Sequence, residues 1–65
     1  MASWTADVKD ALRSAGCYFE RQGKGDHEIW FSPHSGKRFP VDNKILSRHT
    51  ANEIMKQAGL AHRFR

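Results

Sequence analysis

Apolar positions recur at helical spacing between residues 3 and 15. Trp4, Val8, Leu12 and Ala15, with Ala11 beside them, form one stripe, while Asp7, Lys9, Asp10 and Arg13 fall on the other side. The spacing predicts an amphipathic first helix over 3–15. Ser3 and Thr5 are both competent N-caps, Asp7 sets negative charge in the first turn, and Gly16 suits the position just past a helix end. The period then shortens. Residues 17–22 alternate as a strand, with Cys17 and Phe19 on one face and Tyr18, Glu20 and Gln22 on the other. Gly23-Lys24-Gly25-Asp26 turns the chain into a second strand over 27–32, rich in aromatic and β-branched residues. Pro33-His34-Ser35-Gly36 has the chemistry of a tight connection, and residues 37–41 read as a third strand. Pro40 cannot donate to a ladder, which puts that strand at an edge or ends it there. Two connections this short cannot carry parallel crossovers, so the three strands form an antiparallel meander.

Asp42-Asn43-Lys44 is a polar turn, and Ile45-Leu46 an apolar anchor before a second helical pattern. Thr50-Ala51-Asn52-Glu53 matches a capping box, in which a hydroxyl caps the third helical amide and the glutamate reaches back. Ala51, Ile54, Met55 and Ala58 supply the buried stripe, Gly59 the stop, and Leu60 the apolar contact that accompanies it. Residues 61–65 read as a loose basic tail. The order helix, strand, strand, strand, helix predicts an α+β fold, with two helices covering one face of a three-stranded sheet. It makes a single domain of residues 1–65, with a core over about 3–60. Ile29-Trp30-Phe31 is apolar at successive positions, so alternation leaves both faces open. We expect Trp30 to point inward, which leaves His27, Ile29 and Phe31 on the uncovered face.

A chain of 65 residues buries only about 60% of its unfolded surface, so any substrate must sit on the outside. There is no room for a nucleotide cofactor domain. Lys and Arg outnumber acids 11 to 7, for a formal net charge of +4, which favours nucleic acid or an acidic protein as partner. Cys17 is the single cysteine, so no internal disulfide forms and no cysteine cluster holds a metal. No apolar run approaches the roughly 20 residues that span a bilayer, and no signal-peptide core opens the chain. A soluble, cytoplasmic protein is the expectation.

His27 is the leading candidate for chemistry. Its side chain is the one whose ordinary pKa, about 6.5, permits proton exchange in both directions near neutrality. It follows a loop in which Lys24 and the backbone of Gly25 and Asp26 lie close by. Cleavage of RNA needs a base for the 2′-hydroxyl, an acid for the leaving 5′-oxygen and positive charge near phosphorus. His27 fits base or acid, although a plain surface histidine at a strand start has the same sequence. Asp26 and Glu28 flank it, and Asp26, borne on the turn, is the better placed to orient it. His49 is a weaker partner for it, and His34 and His62 are weaker still. The four histidines are scattered, without paired-ligand spacing, so no metal or other cofactor is expected. Lys44 and Arg48 precede the second helix, where free amides already favour an anion, and Lys37, Arg38 and Lys56 add charge. Such cations hold phosphates without reading sequence.

These residues carry a family resemblance. Leu12-Arg13-Ser14-Ala15-Gly16, then Tyr18-Phe19-Glu20-Arg21-Gln22, then Gly25-Asp26-His27, an apolar strand, a basic strand with proline, and Ile54-Met55-Lys56-Gln57-Ala58-Gly59-Leu60 follow one another as in the HicA (YcfA-like) toxins. The chain resembles that family from about Val8 to Leu60. Asp26 stands where the family has serine, and Glu28 where it often has a second histidine. The resemblance implies a double-stranded-RNA-binding-like fold and metal-independent endonucleolytic cleavage of mRNA, with His27 as the catalytic histidine. It also implies translation arrest and neutralisation by a HicB-like antitoxin. Lys24, Gly25, Arg38, Lys44 and Arg48 are the residues expected to hold RNA. A non-catalytic RNA-binding module of the same fold, or a pure protein-interaction domain, would share the basic surface and require nothing of His27.

Overall fold

A computed structural model describes residues 3–65. The elements run α1 (Thr5–Ser14), β1 (Tyr18–Gln22), β2 (His27–Ser32), β3 (Lys37–Asp42) and α2 (Arg48–Gln57). The strands form one antiparallel sheet in the order β1-β2-β3. This is the expected α+β arrangement, with β3 and its Pro40 at an edge. A proline is tolerated there because its missing donor can face away from the neighbouring strand.

Both helices stop as their glycines predict. The Gly16 and Cys17 amides bond the carbonyls of Arg13 and Leu12, and the Gly59 and Leu60 amides bond those of Lys56 and Met55. Each pair closes a helix end whose carbonyls would otherwise lack donors. The starts differ from expectation. Trp4 occupies the α1 cap position without a side-chain cap bond. The Thr5 hydroxyl, expected as a cap, instead accepts the Ile45 amide at 2.9 Å and donates to the Asn43 carbonyl, pinning the loop after β3. In α2 the cap is Ser47, whose Oγ accepts the Thr50 amide at 3.1 Å, so the Thr50–Glu53 box does not form. Ser47 is extended and its hydroxyl satisfies the free Thr50 amide one turn earlier, which leaves Glu53 exposed on the helix flank.

The core lies between the helices and one face of the sheet. Trp30, Phe39 and Val41 point into it and meet Val8, Leu12, Ile45, Ala51, Ile54, Met55 and Ala58, all buried. Trp30 therefore faces inward as expected, at 1% exposure. Buried Ser32 lies on the same face. Its Oγ donates to the Ala58 carbonyl at 2.5 Å and accepts the His34 amide at 3.2 Å. His34 also bonds the Ala15 carbonyl through Nε2, so the β2–β3 turn is fastened to the C-terminal ends of both helices.

Two further expectations are corrected. The register slips between Phe19 and Arg21, a bulge that breaks simple alternation in β1 and pairs Gln22 with Glu28. Phe19, expected on the face of buried Cys17, is about half exposed. Residues 61–65 do not hang free. Phe64 rests 5.3 Å from the Trp4 ring, and its backbone N–H and C=O are both bonded by the Asn52 amide group.

Candidate functional site

The turn between β1 and β2 holds His27 from both sides of its backbone. The Gly23 amide bonds the His27 carbonyl, and the His27 amide bonds the Lys24 carbonyl. Gln22 Nε2 donates to the carbonyls of Gly25 and His27. The two glycines serve separate needs. Gly25 has φ +59°, a left-handed turn conformation that side chains disfavour, and open space around it. At Gly23 a Cβ would sit 3.1 Å from the Ile29 side chain and 3.2 Å from the His27 carbonyl, so there the requirement is close approach.

The β2–β3 register then sets His27 opposite Asp42. His27 Nδ1 pairs with the Asp42 carboxylate, the histidine side chain half exposed and the aspartate 38% exposed. A carboxylate accepting Nδ1–H sets the ring orientation, and in the neutral imidazole that bond makes Nε2 the acceptor nitrogen. Neither flanking acid is the group that pairs with the ring. Asp26 meets the neighbouring loop through its carbonyl, which accepts the Asn43 amide. Glu28 points to the opposite face, where its carboxylate accepts Trp30 Nε1–H at 2.9 Å and lies 3.2 Å from Lys9 Nζ. The Trp30 bond holds that carboxyl below the usual glutamate value against the opposing effect of burial, with help from Lys9.

His27, Pro40 and Asp42 form one wall of a cleft of about 170 Å³, and Thr50, Glu53, Ile54 and Gln57 of α2 the other. His49 does not line it, so the structure does not bring the second histidine beside the first. Lys24 and Lys44 are exposed on the two loops joined by the Asn43–Asp26 bond, at the His27 end of the sheet. Arg48 is the first, exposed residue of α2. Arg38 lies apart from them. Its Nε donates to Glu20 at 2.6 Å, and its guanidinium sits 5.5 Å from the Phe31 ring, across the uncovered face. That bond raises the Arg38 pKa further. Tyr18, half exposed, stacks at 5.6 Å on the same Phe31.

Among the described residues no group of three or more His, Cys, Asp or Glu side chains converges as a metal site would. No described helix is long and apolar enough to cross a membrane. Sequence reasoning missed Asp42, which it placed in a turn just beyond the third strand. The signal was present: counting back from the 33–36 turn pairs Ser32 with Lys37 and, at the far end of the hairpin, His27 with Asp42.

Residues 5–60 match the family model described as HicA toxin of bacterial toxin-antitoxin. No curated protein and no solved structure matches the chain.

Proposed function

The chain belongs to the HicA family of toxins from bacterial toxin–antitoxin systems, and on that premise we propose that it is a metal-independent endoribonuclease that arrests translation by cutting mRNA. The observation that carries the reading is the half-exposed His27 ring, held by Asp42 at the mouth of a cleft and flanked by loops bearing Lys24 and Lys44. His27 Nε2 takes the proton of a ribose 2′-hydroxyl, and the 2′-oxygen attacks the adjacent phosphorus in line. The O2′–P bond forms as the P–O5′ bond breaks, and the leaving 5′-oxygen takes a proton from solvent. The products are a 2′,3′-cyclic phosphate and a free 5′-hydroxyl. Lys24, Lys44 and Arg48, with the backbone around Gly25, hold the phosphodiester against the ring. Arg38 contributes from the open face, with part of its charge offset by Glu20.

The antitoxin in this reading is HicB-like and acidic enough to meet a basic chain of net charge +4. It covers the uncovered sheet face, where Tyr18 and Phe31 offer an aromatic surface on the same side of the sheet as His27. The cytoplasm, where mRNA is translated, is the compartment in which the toxin acts.

The test is His27→Ala. A positioned acid–base group contributes about 10²–10⁴-fold, so the variant should cut long RNA in EDTA that much more slowly and no longer arrest growth. Its circular dichroism should match the parent, since the side chain is exposed. A folded His27→Ala that cuts RNA at the parent rate refutes the assignment. RNA binding by the parent without fragments would make the chain a binding module instead.

A further inference from the structure

The His27 cleft is one end of a longer depression. A second, larger hollow of about 410 Å³ continues along the β3 edge, lined by Lys37, Phe39 and Lys56 among others. Glu53 and Gln57 line both hollows, so the two form a single groove between the outer edge of β3 and the flank of α2. From Lys37 to Asp42 the groove follows five strand steps, about 17 Å at the usual rise. That is long enough for a few nucleotides.

Its charge is unevenly spread. The ion pairs among the described residues engage Lys9, Arg13, Arg21, His27 and Arg38. Lys37 and Lys56 are in none of them, and both are exposed in the groove. The cationic end is thus separated from His27 by Glu53, whose carboxylate repels phosphate at the midpoint. A polyanion laid in the groove therefore has two holding points, one at Lys37 and Lys56 and one at His27.

We propose that this groove is the track of a single-stranded RNA segment, with Lys37 and Lys56 gripping a phosphate remote from the one that is cut. The inference rests on the nuclease reading above and adds the strand's path, its single-stranded form and two binding residues. The groove is walled on one side by a strand edge and on the other by a helix, and it receives one backbone rather than the broad face of a duplex. Chemistry points the same way. In-line attack needs the 2′-oxygen, phosphorus and 5′-oxygen nearly collinear, which an A-form helix prevents and a free strand allows.

The experiment measures binding of a short fluorescent single-stranded RNA by anisotropy, in the His27→Ala background so that nothing is cut. Lys37→Ala/Lys56→Ala should weaken binding about tenfold or more at low salt. It should also flatten the log–log salt dependence by about 0.7, the value for one phosphate contact on a single strand. Arg63→Ala/Arg65→Ala removes the same charge from the C-terminal segment and should have little effect. Duplex RNA of equal length should compete poorly. Equal losses in the two double variants, or duplex competing as well as single strand, would overturn the track. Cleavage by the otherwise native protein is scored separately. If it is absent while the Lys37/Lys56 effect persists, the nuclease reading falls and the groove stands as an RNA site.

Discussion

Replacing Asp42 tests whether the His27 ring works as an oriented base. Asp42→Ala removes the acceptor of Nδ1–H and with it both the tautomer and the orientation of the ring. A hydrogen bond to a charged group contributes about 1.5–3 kcal/mol, and this pair, half exposed on the histidine side, belongs at the lower end. At about 1.4 kcal/mol per decade, losing 1.5–2 kcal/mol of orientation slows cleavage roughly ten- to thirtyfold. That is below the loss predicted for His27→Ala, as it must be for a residue that acts through the ring. Asp42→Asn keeps a neutral acceptor and should fall between Asp42→Ala and the parent. Stability should fall by less, since in the resting fold an exposed pair contributes about 0–1 kcal/mol. The larger figure applies once the ring becomes an imidazolium in the transition state. The assay is single-turnover cleavage of an end-labelled RNA, with melting curves alongside. In the His27→Ala background, Asp42→Ala should cause no further loss, because there is no ring left to orient. A full additional tenfold loss there, or a parent-like rate for Asp42→Ala alone, would refute the reasoning.

Two stability predictions follow from the inward face of β2. Ser32→Ala leaves the Ala58 carbonyl and the His34 amide without the hydroxyl that serves both, at a cost of about 2 kcal/mol. The melting temperature should drop by about 8–16 °C for a domain of this size, and a shift under 2 °C would disprove the tie. Glu28 has a carboxyl pKa depressed in the folded state, chiefly by Trp30. Its contribution is therefore complete above the unfolded value of about 4.3 and is lost as pH falls through the lower folded value. Glu28→Gln should remove that part of the acid destabilisation, and parallel pH–stability curves for variant and parent would contradict it.

Much of the fold was legible because its cues are local. The stripe from Trp4 to Leu12, the C-terminal glycines at 16 and 59 and the 33–36 turn each act within a few residues. Trp30 could be turned inward because His27, three positions away, then falls on the open face and stays accessible beside an apolar patch. What was hidden depends on distance along the chain. Thr50 and Ser47 are equally good caps in sequence, and Thr50 has the glutamate that completes a box, yet the extended backbone at Ser47 decides the start. The third strand runs one residue past Val41, and that one residue is the partner of the candidate base. Phe64 packs because Trp4 and Asn52, remote in sequence, meet it. The groove exists only once α2 is laid beside the β3 edge, so no pattern of spacing announces Lys37 and Lys56 as neighbours of one channel.

An outer strand ordinarily invites copies of itself to zip on, the first step towards fibrils. Pro40 sits in the middle of that rim and has no hydrogen to offer an incoming backbone. Self-templating is thereby discouraged at the border where the channel runs, and the rim stays vacant for a guest of different chemistry.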